Sequence, residues 1–418
     1  MKASKGRPRP PRGPGRRAMR SLPPLVHATK TVTGTLLDPR FFSILYTECT
    51  VGSVQRSRRE HGAPYLRPGR LQATAAATGL RAYNPTQERS ASMKVAVLGA
   101  GAIGAYVGGR TPQGGSRGAP HRERRAPRGD TPCRCAGAHP PRGDFTAHPH
   151  ATDDPAEVGP VDHVFLGLKA NSYAAAGPMI RPLLHETTSI IAAQNGIPWW
   201  YFHGLKGPYE GYRIESVDPG GAVTAALPLH RAIGCVVYAA TEIEEPGVIR
   251  HLEGTRFSIG EPDGRLSERC RAFSEAAVEG GLKCPVERDL RRDVWIKLMG
   301  NIAFNPISAL ARATMAGICR HDGARELVVA MMRETVEVAR RVGCDPGISI
   351  ERRLRGAEKA GEHKTSTLQD LEKGKPLELD VLLAAVVELA DLTGAEVPTL
   401  RAIHAVSDLL NANLVRAV

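Results

Sequence analysis

The chain has 418 residues, 42% of them apolar, which is enough for two or three domains with real cores, and its formal net charge is +13. That charge is lopsided: residues 1–92 hold 17 Lys and Arg against 4 Asp and Glu, and the other 39 basic and 39 acidic residues cancel. The basic character therefore belongs to the N-terminal extension, and the folded part gives no reason to expect a nucleic-acid partner. Eight cysteines without a C-x-x-C pair fit reduced thiols in a cytoplasmic protein with no metal site. Apolar runs stay well short of the roughly 20 residues that span a bilayer, so no membrane partner is expected.

In chain order, residues 1–92 are rich in Arg, Pro, Gly and Ser without a sustained period, and are expected to be disordered. Prolines at positions 8, 10, 11 and 14 interrupt the amphipathic helix that a transit peptide needs. The alternative is a gene start placed too far upstream, with Met93 as the natural first residue. Residues 93–110, MKVAVLGAGAIGAYVGGR, read as a buried strand running into a glycine turn and a helix. Gly99, Gly101 and Gly104 form G-x-G-x-x-G, with Ala100, Ala102 and Ile103 between them. The first glycine permits the bend, the second admits a pyrophosphate to the backbone, and the third lets helix and strand pack closely. The phosphates sit on the helix N-terminus, where unpaired N–H groups and the dipole favour negative charge.

Residues 111–144 contain no Val, Ile, Leu, Met, Phe, Trp or Tyr. No buried strand can be built from them, although a dinucleotide fold needs its second strand and its ribose-reading residue here, about 20 residues past the glycines. Two readings stand, a local frameshift and a disordered insertion. Beyond Phe145 strands are expected at 163–168, 189–193, 233–239, 247–252 and 256–260, with a helix over 173–184. Trp199, Trp200 and Tyr201 either wall a pocket or anchor the long loop 197–219. From Leu266 helical periodicity dominates, with helices expected at 293–304, 322–342, 365–372, 377–392 and 398–412. The division is an extension over 1–92, a Rossmann-type α/β domain over 93–285 and an all-helical domain over 286–418.

The chemistry concentrates in residues 293–310, DVWIKLMGNIAFNPISAL. Lys297, Asn301 and Asn305 recur every four residues and form one polar stripe on an otherwise apolar helix. A lone helical lysine is ordinarily a snorkelling surface residue; here the apolar surroundings turn the stripe toward a cleft. A lysine so held can protonate an oxygen that gains charge as hydride reaches a carbonyl, and desolvation lowers its pKa toward the working range. Downstream, Ser366 fits a helix cap and Glu378 a solvated helix charge.

With these motifs in order, the chain resembles the ketopantoate reductase family over residues 93–110 and about 145–412. The resemblance is carried by GAGAIG, LKAN at 168–171, QNG at 194–196, WIKLMGNIAFNPISAL at 295–310 and STLQDLEKGKPLELD at 366–380. It implies NADPH-dependent reduction of 2-dehydropantoate to pantoate, a step of pantothenate biosynthesis, with Lys297 as general acid. Asn301, Asn305, Ser366 and Glu378 would contact the small 2-oxo acid, Glu378 also orienting the lysine. Lys169 and Asn195 would lie beside the nicotinamide and phosphates. Two alternatives are carried forward: a related dehydrogenase with another 2-oxo acid, and a non-catalytic chain whose cofactor domain is broken. Apolar C-terminal helices fit a homodimer.

Overall fold

The computed structural model describes residues 43–50, 92–111, 133–137 and 145–417. Strand β1 (Ile44–Thr50) pairs antiparallel with β2 (Ser92–Leu98), Ile44 opposite Leu98. The glycine turn leads into α1 (Ala102–Arg110), and β3 (Cys133–Gly137), β4 (Phe145–Ala147) and β5 (His150–Thr152) follow. Then come α2 (Pro155–Val158), β6 (His163–Leu166), α3 (Gly177–Ile180), β7 (Ser189–Ala192), α4 (Ala222–Ala226) and β8 (Ala232–Val237). Strands β9 (Ala240–Glu245), β10 (Val248–Glu253) and β11 (Phe257–Gly260) precede α5 (Glu268–Glu279).

Seven strands make the main sheet, in the order β11-β8-β7-β6-β2-β1-β5. Its centre, β2, β6, β7 and β8, is parallel, and β11 closes it antiparallel to β8. These strands are apolar because both of their faces are covered. Within β2, Val95 and Val97 enter one buried cluster with Tyr106, Val107 and Phe273, while Ala96 and Leu98 enter another. The second cluster continues through Trp200 and Trp295 into the C-terminal helices.

Those helices are α6 (Leu290–Ala311), α7 (Met315–Arg320), α8 (Asp322–Arg341), α9 (Ile350–Lys359), α10 (Ser366–Glu372), α11 (Ala385–Thr393) and α12 (Pro398–Ala417). A π-helical turn, Asp380–Ala384, leads into α11. The fold is a Rossmann-type α/β unit followed by a helical unit. Local chemistry starts the helices: Asp289 caps α6 by accepting from the amide of Arg292, and Ser349 caps α9 by accepting from that of Arg352, each at 3.2 Å.

Several expectations are corrected. The extension is not wholly unstructured, since Ile44 and Leu45 are buried and β1 takes the place beside β2 that a second parallel strand was expected to fill. The segment 111–144 does supply a strand, β3, but in a separate four-stranded sheet, β4-β3-β10-β9. Backbone pairing with β10 and β4 is enough for that, whatever the side chains. The helix expected over 173–184 is broken into 3₁₀ turns around the short α3, because Pro178 and Pro182 cannot donate to a continuous ladder. The segment 197–219 anchors the core: Trp200 and Tyr201 are buried, and the indole N–H of Trp295 donates to the Tyr201 hydroxyl at 2.7 Å. Strand β9 and helices α7 and α9 were not anticipated.

Candidate active site

Gly99 leaves β2 at φ +95°, a conformation that other residues rarely adopt. A Cβ on Gly104 would overlap the carbonyl oxygen of Gly99, so the third glycine lets α1 lie against the strand. Gly167, at the end of the neighbouring strand, is subject to the same constraint, since a Cβ there would come within 2.7 Å of the Gly104 Cα. Gly101 differs. A Cβ there would meet nothing nearer than the Gly167 carbonyl oxygen at 3.6 Å, so the space over the start of α1 is open. Unpaired N–H groups and the positive end of the helix dipole face that space. The cradle fits the pyrophosphate of a dinucleotide, with Ala100 and Ala102 completing the turn.

Ile103 reaches from this turn into the wall of a cavity of about 470 Å3 that runs to the helical unit. Lys297, Asn301 and Asn305 line it together, one face of α6, as their spacing predicts. Asn195 and Ser366 line it as well. Asn195 is placed by Gly196, whose φ is +79° and whose Cα lies so close to the Val381 carbonyl that no Cβ could be accommodated. Ile197 then donates its amide to that carbonyl at 2.8 Å. Ser366 does not cap α10. Thr365 does, accepting from the amide of Leu368 at 3.2 Å, which leaves the Ser366 side chain at the first helical position and on the cavity.

The ammonium of Lys297 donates to the Val237 carbonyl. An ammonium has three protons, so two are left for a ligand. Burial lowers its pKa to about 8, against the pull of Cys235 and Glu378. Glu378 is not a solvated charge. Its carboxylate accepts from the amide of Ala170 at 3.1 Å, and burial raises its pKa although that hydrogen bond and Lys169 oppose the rise. Glu378 thus acts on Lys297 through charge and not as a hydrogen-bonded orienter. Lys169 donates to Asp370 at 2.5 Å. The cavity wall is formed without Lys169 or Glu378, and the two contacts join the turn at 168–171 to the C-terminal helices.

Among the other residues that line the cavity and were not foreseen are Tyr238, Gly300 and Arg353. Arg353 lies in the arginine-rich α9, ERRLRGAEK, where composition singles out no one arginine. The signal that could have found it is Gly300, a glycine well inside a 22-residue helix.

The family described as "Ketopantoate reductase PanE/ApbA" matches residues 95–201, and "Ketopantoate reductase PanE/ApbA C terminal" matches residues 289–411. The chain is 43% identical over 325 residues to a 2-dehydropantoate 2-reductase of Mesorhizobium japonicum, covering 75% of this chain and 96% of that one. The chain belongs to the ketopantoate reductase family. Among solved structures, a Ralstonia solanacearum MolK2 protein assigned as a ketopantoate reductase is 31% identical with a TM-score of 0.67, covering 77% of this chain and 97% of that one. A 2-dehydropantoate 2-reductase of Geobacter metallireducens is 28% identical with a TM-score of 0.56, covering 66% and 85%. Both matched family segments contribute to the cavity, the first through Ile103 and Asn195 and the second through the α6 stripe and Ser366.

Proposed function

We propose that this ketopantoate reductase family member is an oxidoreductase that reduces 2-dehydropantoate to pantoate with NADPH. The observation that carries the reading is that the Lys297–Asn301–Asn305 stripe lines one cavity together with Ile103 of the glycine turn. A reduced nicotinamide bound there would supply the hydride. Gly99, Gly101 and Gly104 would hold the dinucleotide's pyrophosphate at the start of α1, and Asn195 lines the same cavity as the stripe. Lys297 gives a proton from Nζ to the oxygen of the C2 carbonyl as the hydride arrives at carbon. Lys297 is left as a neutral amine and recovers its proton from water. Asn301, Asn305 and Ser366, which can each donate and accept, fix the substrate's hydroxyl and carbonyl groups. The buried carboxylate of Glu378 holds the lysine's pKa up against desolvation.

Among the described residues no helix is long and apolar enough to cross a membrane, and we place the enzyme in the cytoplasm. The exposed Val406 and Leu409, three residues apart on α12, support a homodimer formed through that helix. The division into units over 93–285 and 286–418 follows the passage from strands to helices.

The test is NADPH consumption by the full chain on addition of 2-dehydropantoate, with NADPH and NADH binding measured separately. Turnover with NADPH is expected. Binding without turnover shifts the substrate to another 2-oxo acid, and absence of binding sinks the catalytic reading.

A further inference from the structure

Arg353 is a cation that lines the cavity and that the proposed reaction has not used. Among the described residues its guanidinium has no carboxylate or carbonyl partner, and its Nε is buried without a hydrogen bond. A buried guanidinium nitrogen left unpaired is costly; it is tolerated where a ligand completes the group. Its position is set by Gly300. The place where a Cβ would stand on Gly300 is occupied by Arg353, with Nη2 in overlap and Cζ only 3.0 Å away. Glycine lowers the stability of a helix interior, and here it opens the surface of α6 to a planar cation. Gly300 lies three residues after Lys297, about 4.5 Å further along the axis of α6, and both line the cavity.

A 2-oxo acid carries its carboxylate on the carbon next to the reacting carbonyl. We propose that Arg353 binds this carboxylate, two N–H groups against two oxygens, and thereby directs the neighbouring carbonyl oxygen to Lys297. A forked, always charged donor matches a planar carboxylate in both geometry and charge. Tyr238, whose proton is held more tightly because it is buried, stays neutral beside Arg353 and does not compete as an anion. The inference rests on the 2-oxo acid reading and adds to it the residue that selects an acid over a neutral ketone.

The experiment compares the full chain with Arg353→Met, Arg353→Lys and Gly300→Ala. KM and kcat are measured for 2-dehydropantoate and for its neutral lactone, with KM for NADPH in parallel. Arg353→Met is expected to raise KM for the acid by about 10- to 100-fold, the usual cost of a lost charged hydrogen bond. It should leave KM for NADPH within about twofold and erase the preference for acid over lactone. Gly300→Ala favours the helix, yet should move KM in the same direction by displacing the guanidinium. An unchanged acid-to-lactone preference in a folded Arg353→Met variant overturns the proposal, as does a rise in KM for NADPH in place of KM for the acid. If Arg353→Met does not fold, Arg353→Lys, which keeps the charge and loses the fork, carries the same comparison. If the parent chain does not turn over 2-dehydropantoate, the proposed function fails separately. Calorimetric titration with oxamate then decides, because its binding must be lost in the Arg353 variants, and equal binding ends the assignment.

Discussion

Lys297 donates to the backbone carbonyl of Val237 while the carboxylate of Glu378, tied to the amide of Ala170 at 3.1 Å, acts on it through charge. Lys297 is therefore held by one neutral group, while Cys235 and Glu378 raise its pKa and Arg353 lowers it. Its pKa of about 8 lies below the ordinary 10.5 because burial disfavours the ammonium. A general acid must be protonated, so kcat/KM for reduction is expected to be level below that value and to fall tenfold per pH unit above it. Lys297→Ala should lose about 10² or more in kcat together with this alkaline limb. A profile that keeps the limb in the variant would assign it to another group.

The same shift has a sign in stability. The folded pKa is depressed, so folding disfavours the charged lysine, and the penalty is relieved as pH rises from about 8 toward 10.5. Lys297→Met is expected to be more stable than the parent at pH 7, by about 1–3 kcal/mol, with the difference closing above pH 10. Urea melts of the two proteins across this range check it, and a gap that widens with pH contradicts the assignment.

Glu378→Gln keeps the acceptor for Ala170 and removes the charge. With its carboxylate partner gone, Lys297 holds its proton less tightly, so the alkaline limb should move to lower pH by about one unit. Rate measurements at saturating NADPH detect this. A limb that stays in place would show that the carboxylate does not reach the lysine.

The glycine turn separates binding from folding. A side chain on Gly101 enters open space, whereas one on Gly104 overlaps the Gly99 carbonyl oxygen. Gly101→Val is therefore expected to melt within a few degrees of the parent while losing most NADPH affinity, and Gly104→Ala to lose stability itself. Calorimetry and fluorescence titration of both variants distinguish the two outcomes.

Local patterns in the sequence were enough for β2, the glycine turn, α1 and the polar stripe of α6. Each depends on residues within a turn or two of one another, and the period of the strand or helix places them on one face. What escaped depends on residues far apart in the chain. Strand β1 is recognisable only through its pairing with β2, Ile44 with Leu98, and the short apolar run around Ile44, Leu45 and Tyr46 is hidden in an extension dominated by Arg and Pro. Arg353 escaped for the same reason, because its relation to Gly300 joins two helices. Lys169 and Glu378 were found through the family motifs, while their contacts with Asp370 and Ala170 depend on the fold.

Whether β1 belongs to the working fold can be settled by removing it. Ile44 is fully buried and Leu45 nearly so, the latter at 7% exposure, and the Ser43 carbonyl accepts from the amide of Gly99 at 2.9 Å, at the cofactor turn itself. Burying two such side chains contributes about 3–6 kcal/mol, and deleting residues 1–91 also leaves the β2 edge unpaired and open to association. A chain beginning at Met93 is therefore expected to melt well below the full chain and to aggregate at moderate concentration. Ile44→Ala isolates the packing, at about 2–5 kcal/mol. It should lower the melting temperature by roughly 5–15 °C and weaken NADPH binding through the Ser43–Gly99 contact. If the chain from Met93 matched the full chain in melting temperature and in NADPH affinity, β1 would be dispensable, and the cofactor domain would be complete without the strand that now borders β2.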